Sequence, residues 1–260
     1  ARAAATPSFG FEELAAGVSE DHAVAAGYKA DILIRWGDPV EEGAPTFDPL
    51  DQSADKQRLQ FGYNNDYVAY FPLDGSSEHG LLVVNHEYTN EELMFPGLGG
   101  SQDEEGVNFA KMTQELAEIE MAAHVGSVLE IRKTDGRWRV VPDSRYNRRI
   151  HAWTEVELTG PAAGHDRLKT SADPTGTKVL GMLNNCAGGM TPWGTWISAE
   201  ENFNGYFWGK IEEGHPEFAN YKRLGLPANW YNWGAYHDRF DVAKEPNEAN
   251  RFGWLVEIDP

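Results

Sequence analysis

Short apolar segments bounded by turn-forming residues constrain the fold of this chain more than any other feature. Residues 67–72, 80–84 and 178–183 are bounded by proline, glycine, asparagine or aspartate. Such segments are typical of β-strands, and the 27 glycines, 14 prolines and nine tryptophans supply turns and aromatic packing. The sequence therefore predicts an all-β fold.

One segment has helical rather than strand periodicity. Met112, Leu116, Ile119 and Ala123 recur at the spacing of one helix face, which predicts an inserted helix. The rest of the pattern favours a β-propeller over a β-sandwich, although we find no clear sequence repeat. Strands are predicted at residues 31–36, 67–72, 80–84, 125–132, 138–142, 178–183, 195–199 and 253–258.

Charge and hydropathy narrow the class of partner and the domain organisation. The net charge of −19 repels nucleic acid, and no apolar run is long enough to span a membrane. Residues 1–30 are rich in alanine and glycine and are interpreted as an extended arm. The last predicted strand ends at Pro260 without a following turn, so we expect residues 1–260 to be the N-terminal portion of one longer domain.

The lone cysteine is the first candidate for chemistry. Cys186 lies in the segment Asn-Asn-Cys-Ala-Gly-Gly, interpreted as a glycine-rich loop, and Glu200 and Glu201 follow shortly afterwards. A thiolate suits zinc or iron, whereas carboxylate oxygens suit calcium. The alternative is a small buried apolar residue, which is the common role of a free cysteine.

Two further carboxylates follow apolar segments at predicted strand ends. Glu87 comes directly after residues 81–86, and Glu257 emerges from an apolar setting in the last strand. Both could bind a cation. The alternatives are that Glu87, Glu200 and Glu201 lie in solvated turns, and that an arginine rather than a metal pairs with Glu257.

A pair of titratable residues on the predicted helix is a weaker candidate. Glu120 and His124 have the i,i+4 spacing that can bind a metal, but we interpret them as a surface contact.

Several of these motifs together resemble the PhoX family of bacterial alkaline phosphatases. The resemblance spans most of the chain and rests on residues 84–89, 158–166, 184–189, 200–206 and 247–254. It implies a six-bladed β-propeller, here a partial one with an inserted helix, exported in folded form by the twin-arginine route. The expected location is the periplasm or the medium, and we expect a monomer.

The resemblance also implies an activity and a set of metal ligands. The expected reaction is hydrolysis of phosphate monoesters with iron (Fe³⁺) and calcium as cofactors. Cys186 and Glu257 are then the implied iron ligands. Glu87 and one or both of Glu200 and Glu201 are the implied calcium or bridging ligands. Two other hypotheses remain: a calcium-dependent propeller lactonase or esterase, and a non-catalytic exported propeller that binds ligands.

Overall fold

The fold comes from a computed structural model that describes residues 10–98 and 109–260. Residues up to 33 belong to a first unit, in which residues 10–33 contain no helix or strand. Phe11 and Tyr28 pack edge to face there, with ring centroids 5.7 Å apart. The extended arm at residues 1–30 stays a prediction, and residues 1–9 of it lie outside the described part of the chain.

The strand predicted at residues 31–36 is wrong. The structure forms no strand there. Instead, the amide of Arg35 donates to the carboxylate of Asp38 at 2.7 Å, which closes a local turn. An apolar run of this kind predicts a strand, but a strand also needs a hydrogen-bonded partner strand.

The second unit, residues 34–260, is built mainly from antiparallel sheets with few helices. Its strands are β1 (Asn65–Pro72), β2 (His79–His86), β3 (Val125–Thr134), β4 (Arg137–Val140), β5 (Arg148–Ile150), β6 (Glu155–Glu157), β7 (Lys178–Leu180), β8 (Asn185–Met190), β9 (Trp196–Glu200) and β10 (Leu255–Ile258). Its α-helices are α1 (Ala54–Gln57), α2 (Glu91–Met94), α3 (Gln114–Ala123) and α4 (Phe218–Leu224).

Three sheets are present among the described residues. The first has the order β1-β2-β3-β4, with β5 also paired to β3; the second has the order β10-β9-β8; and β6 pairs with β7. No sheet in the described ranges closes on itself. Short 3-10 helices connect the sheets at Asp166–Leu168, Phe203–Tyr206, Trp233–Ala235, Asp238–Phe240 and Glu248–Arg251. None of the helices in the described ranges has the length and apolar character needed to cross a bilayer.

Most of the other predicted strands are confirmed, within a few residues at their ends. The strand predicted at residues 178–183 ends early, at Leu180, because Gly181 has a φ of +73° and turns the chain. A side chain there would also lie 2.6 Å from the backbone of Ala152, so only glycine fits.

The predicted helix is confirmed as α3. Its N-cap is Thr113, whose side chain accepts a hydrogen bond from the amide of Leu116. The helix buries Ile119, Met121 and Ala123 completely or almost so, and it leads through His124 directly into β3. The helix therefore fixes where the central strand of the first sheet begins.

Glu120 and His124 are not a surface pair, which corrects the sequence interpretation. Both are fully buried, because the far side of α3 is covered by an aromatic cluster rather than by water. The indole of Trp233 donates to Glu120 at 3.0 Å. The ring of His124 lies edge-on to Tyr206, Tyr231 and Trp233, with its Nε2 3.0 Å from the Tyr206 hydroxyl.

Burial of His124 predicts a loss of stability in acid. Burial lowers the pKa of His124 to about 4, whereas an unfolded histidine titrates near 6.5. As the pH falls from 6.5 towards 4, the unfolded chain takes up a proton that the folded chain refuses, so the folded state loses up to about 3 kcal/mol. We expect the free energy of unfolding, measured with urea, to fall over this range.

The variant His124→Asn isolates this contribution, because it carries no titratable group at any pH. The difference in unfolding free energy between wild type and variant should shrink as the pH is lowered from 7.5 to 4.5. A difference that stays constant over this range would show that His124 is not held neutral.

Candidate metal-binding site

Cys186 lies in a strand and not in a glycine-rich loop, which corrects the sequence interpretation. It is the second residue of β8, which pairs with β9. Glycines are depleted in strands, so the Gly188–Gly189 pair pointed to a loop. The ladder with β9 holds the segment extended, and the ring of Tyr67 covers the space beside Gly188.

The β8–β9 ladder contains a bulge at the cysteine. Asn185 pairs with Glu200 and Gly188 pairs with Ser198. Between these two pairs, β8 therefore has one residue more than β9. Cys186 lies within this bulge. A bulge re-aims the side chains of the strand that carries it and is frequent beside functional sites.

The β1–β2 ladder contains the same irregularity at the same position. Asn65 pairs with His86 and Val68 pairs with Val84, so Asp66 lies in a bulge of β1. Asp66 was absent from the sequence-based candidates. It becomes a candidate because its carboxyl group adjoins that of Glu87, the residue that follows β2, and the two groups can share a proton.

The two bulged hairpins correspond residue by residue at their ends. Asn64 and Asn184 precede the bulged strands, and both adopt a left-handed backbone, with φ of +44° and +51°. The carbonyl of Asn64 accepts the amide of Glu87 at 3.0 Å, and that of Asn184 accepts the amide of Glu201 at 3.1 Å. Asp66 in the first hairpin thus corresponds to Cys186 in the second.

The correspondence gives the sequence signal that was missed. The chain reads Asn-Asn-Asp at residues 64–66 and Asn-Asn-Cys at residues 184–186, and each triplet is paired with a strand that is followed by a glutamate. The repeat is not visible in the sequence as a whole because the segments between these anchor residues share no pattern.

The two hairpins bring three ligand-type side chains together. One side-chain donor atom each of Glu87, Cys186 and Glu201 lies within 4.8 Å of the other two. Glu87 and Cys186 are half-buried and Glu201 is exposed. We call these three residues the donor group; Asp66 adjoins it through its contact with the carboxyl group of Glu87.

The electrostatics of the donor group favour a bound cation. Burial raises the pKa of Glu87 to about 7, and the nearby carboxylates of Asp66 and Glu201 add to this effect. Burial and the hydrogen bond to Glu201 raise the pKa of the Cys186 thiol. No lysine or arginine in the described ranges forms an ion pair with Glu87 or Glu201. A thiol and several carboxylates that lack a basic partner fit a metal ion by donor chemistry.

Buried amides hold the donor group in place. Asn85 donates to the carbonyls of Cys186 and Ala187 at 2.9 and 3.1 Å, which ties the bulge of β8 to β2. Ser198 donates to Asn85, and Asn185 donates to Ser198, both at 2.9 Å. Asn85, Asn185 and Ser198 have no exposed surface, so this network joins the first sheet to the second with little freedom.

Glu200 lies beside the donor group in sequence but has a different environment. Its carboxylate accepts the amides of Leu183, Gly253 and Trp254 at 2.7, 2.8 and 3.0 Å. Successive strand residues point to opposite faces, so Glu200 faces away from its neighbour Glu201. The structure therefore does not bring Glu200 into the donor group; it cross-links the start of β8 to the start of β10.

Glu257 also lies outside the donor group. It is exposed on β10, where the Trp193 indole and the Thr195 hydroxyl donate to one carboxylate oxygen at 2.6 and 2.5 Å. The hydrogen bonds from Thr195 and Trp193 lower the pKa of Glu257. The partners of Glu257 in the described ranges are therefore neither a metal-type donor cluster nor an arginine. Metal binding by Glu200 and Glu257 stays a prediction.

A cavity of about 340 Å³ adjoins the donor group. Glu87 lines it, together with Asn184 and Asn202, which flank Cys186 and Glu201 in sequence. The amide of Asn202 donates to the side chain of Asn184 at 2.9 Å, which fixes this part of the wall. The remaining lining residues are Tyr88, Thr89, Asn90, Glu91, Glu92, Tyr206, Trp230 and Tyr231.

These features define a mainly β protein with a cluster of metal-type donors at the edge of a cavity. The sequence model of the family described as alkaline phosphatase PhoX matches residues 9–260. A solved structure of Pseudomonas fluorescens PhoX, in complex with the transition state analogue vanadate, is 42% identical with a TM-score of 0.82. The chain belongs to the alkaline phosphatase PhoX family.

The chain corresponds to only part of that solved structure. The match covers 92% of this chain and 40% of the Pseudomonas chain. A comparison with curated proteins gives no match.

Gly188 and Gly189 give a matched pair for testing the bulge at Cys186. A Cβ atom on Gly188 would lie 2.4 Å from the ring of Tyr67, whereas one on Gly189 would have no neighbour within 4 Å. We expect Gly188→Ala to lower the free energy of unfolding by about 1–3 kcal/mol, because the ring must move. Gly189→Ala should change it by about 0.5 kcal/mol or less. Equal effects of the two substitutions would contradict the packing of Tyr67 on β8.

Glu200 and Glu257 give a second matched pair, which separates a structural carboxylate from an exposed one. Burial raises the pKa of Glu200 to about 7, so its carboxylate is ionised at pH 8. Glutamine offers one acceptor oxygen where three backbone amides converge, so we expect Glu200→Gln to cost about 1–3 kcal/mol of unfolding free energy. Urea unfolding at pH 8 with chelator present should show a clearly smaller change for Glu257→Gln. A larger loss of unfolding free energy for Glu257→Gln than for Glu200→Gln would contradict the structural role of Glu200.

Proposed function

We propose that this protein is a metal-dependent phosphatase that hydrolyses phosphate monoesters and releases inorganic phosphate. The observation that carries the proposal is the donor group of Glu87, Cys186 and Glu201, found in a chain of the alkaline phosphatase PhoX family. The relative in complex with vanadate, a transition state analogue, supports the same reaction class. The chain spans 40% of the length of that relative.

The residues of the site would contribute ligand geometry and a protected surrounding. Cations bound by Glu87, Cys186 and Glu201 would neutralise the phosphate oxygens of the ester and stabilise the charge that develops on them during hydrolysis. Asp66, whose carboxylate adjoins that of Glu87, would add negative charge that favours a bound cation. Asn85 would hold the backbone of Cys186, which prevents the thiol from turning away.

The donor chemistry supports iron and calcium as the metals. A thiolate ligand suits iron, and the carboxylates of Glu87 and Glu201 suit calcium. Glu200 and Glu257 are proposed ligands on the strength of the resemblance alone. To bind a metal, the carboxylate of Glu200 must lose one or more of its backbone amide partners or use a lone pair that those amides leave free.

The remaining expectations are part of the same proposal. We infer a propeller for the whole domain, supported by two hairpins with the same bulge, the same left-handed asparagine and the same glutamate position. Family membership supports export in folded form to the periplasm or the medium, and a monomer is proposed. The acidic surface makes small phosphate esters, rather than nucleic acid, the expected partners.

The alternatives differ in their metals. A calcium-dependent lactonase would have no use for a thiol in the donor group, and a non-catalytic propeller would need no donor group at all. Elemental analysis of the purified full-length protein separates the three: iron with calcium favours the phosphatase, calcium alone the lactonase, and neither metal the binding protein.

Activity gives the direct test of the phosphatase. The full-length protein should hydrolyse p-nitrophenyl phosphate, and prolonged chelation should reduce the rate at least about a hundredfold, because the charge of the ester is then unopposed. Cys186→Ser should lower both the iron content and kcat, whereas Gly189→Ala, which meets no neighbour, should change neither. Full activity and full iron content in Cys186→Ser would remove the thiol from the mechanism.

A further inference from the structure

The cavity beside the donor group contains an indole that the core does not use. Trp230 is 41% exposed, whereas Trp196 and Trp233 have no exposed surface. Trp230 lines the same cavity as Glu87, and Tyr88, which is 39% exposed, lines it too. A metal site therefore shares its cavity with accessible aromatic surface.

The Trp230 ring is held rigidly. Its amide donates to the carbonyl of Gly205 at 2.8 Å, and the amide of Tyr231 donates to the same carbonyl at 3.1 Å. The ring lies against Gly205 so closely that a Cβ atom there would be 2.3 Å from it. The preceding residue, Asn229, has a left-handed backbone with a φ of +55°, which turns the chain into this position.

The segment that holds Trp230 is also the segment that follows the donor group. Gly205 belongs to the 3-10 helix Phe203–Tyr206, which begins two residues after Glu201. The Tyr206 hydroxyl lies 3.2 Å from the carbonyl of Glu87, and the Tyr206 ring stacks on Tyr231 at 4.5 Å. The separation between the donor group and the indole is therefore set by short, hydrogen-bonded connections.

We propose that Trp230 is a specificity-determining residue that stacks on the organic group of the substrate, and that the preferred substrates are phosphate monoesters of uncharged aromatic alcohols. The inference rests on the proposed function, which places the phosphate at the donor group. An exposed indole face contributes to binding of a planar ring and contributes little for a small aliphatic group. Glu92 also lines the cavity and, with the net charge of −19, disfavours a second anionic group on the substrate.

The test uses the full-length, metal-loaded protein and two esters of primary alcohols. Benzyl phosphate carries an aromatic ring, and ethyl phosphate does not. We expect Trp230→Ala to lower kcat/KM for benzyl phosphate about tenfold, the loss expected when one aromatic stacking contact is removed, and to change that for ethyl phosphate less than twofold. Trp230→Phe should retain most of the preference. Trp138→Ala removes a half-buried indole of β4 that does not line the cavity, and should change neither value.

Binding without turnover gives a second readout. Calorimetry should show that wild type binds benzylphosphonate more tightly than methylphosphonate, and that Trp230→Ala removes most of this difference. If Trp230→Ala lowers the melting temperature, Trp230→Leu, which still covers Gly205 but has no planar face, should show the same selective loss.

The outcomes separate the two proposals. If wild type hydrolyses both esters and Trp230→Ala lowers kcat/KM equally for both, or for neither, the proposed role of Trp230 is wrong. The proposed phosphatase activity is then unaffected. Failure of the loaded wild-type protein to hydrolyse either ester overturns the phosphatase, and the inference falls with it.

Discussion

One extra residue in each of two hairpins is the constraint on which the site depends. Without the bulges, Asp66 and Cys186 would alternate regularly with their neighbours along β1 and β8. The asparagine before each bulge turns through a left-handed conformation, and its carbonyl holds the amide of the glutamate that follows the partner strand. Each hairpin thus presents two acidic donors at one end, and the packing of the hairpins brings the two ends together.

This arrangement costs energy that the rest of the fold must offset. Carboxylates and a thiol in partial burial repel one another once ionised, and no basic side chain of the described ranges pairs with the glutamates of the donor group. The network of Asn85, Ser198 and Asn185 opposes separation of the hairpins, since each buried amide would lose its partner. Glu200 accepts three backbone amides at the neighbouring position. The two adjacent glutamates therefore have different roles: Glu200 stabilises the sheet, and Glu201 belongs to the donor group.

The sequence predicts the parts of this structure that depend on local pattern. The helix at Gln114–Ala123 follows from apolar spacing, and the strands before Glu87 and Glu201 follow from short apolar runs that end in polar residues. Local pattern misses what depends on pairing. The run at 31–36 lacks a partner ladder, and the glycine-rich segment at Cys186 becomes a strand only because β9 pairs with it. Glu257 shares a strand pattern with the residues of the donor group, yet it accepts hydrogen bonds from Trp193 and Thr195. Asp66 is found only when the two Asn-Asn triplets are seen to occupy equivalent places.

Proton and cation compete for the same atoms at this site, and that competition connects the geometry with alkaline conditions. Burial and neighbouring carboxylates raise the pKa of Glu87 to about 7, and burial raises that of the Cys186 thiol. At lower pH, protons relieve the repulsion within the donor group, and a cation must displace them in order to bind. As the pH rises, ionisation leaves the repulsion unrelieved until a cation neutralises it, so the free energy of cation binding becomes more favourable. The surface of a chain with a net charge of −19 would repel the ester of the proposed reaction, and cations bound at the donor group would reverse the local field. The same repulsion between donors that destabilises the hairpin ends would therefore supply affinity for the cations that the proposed phosphatase needs.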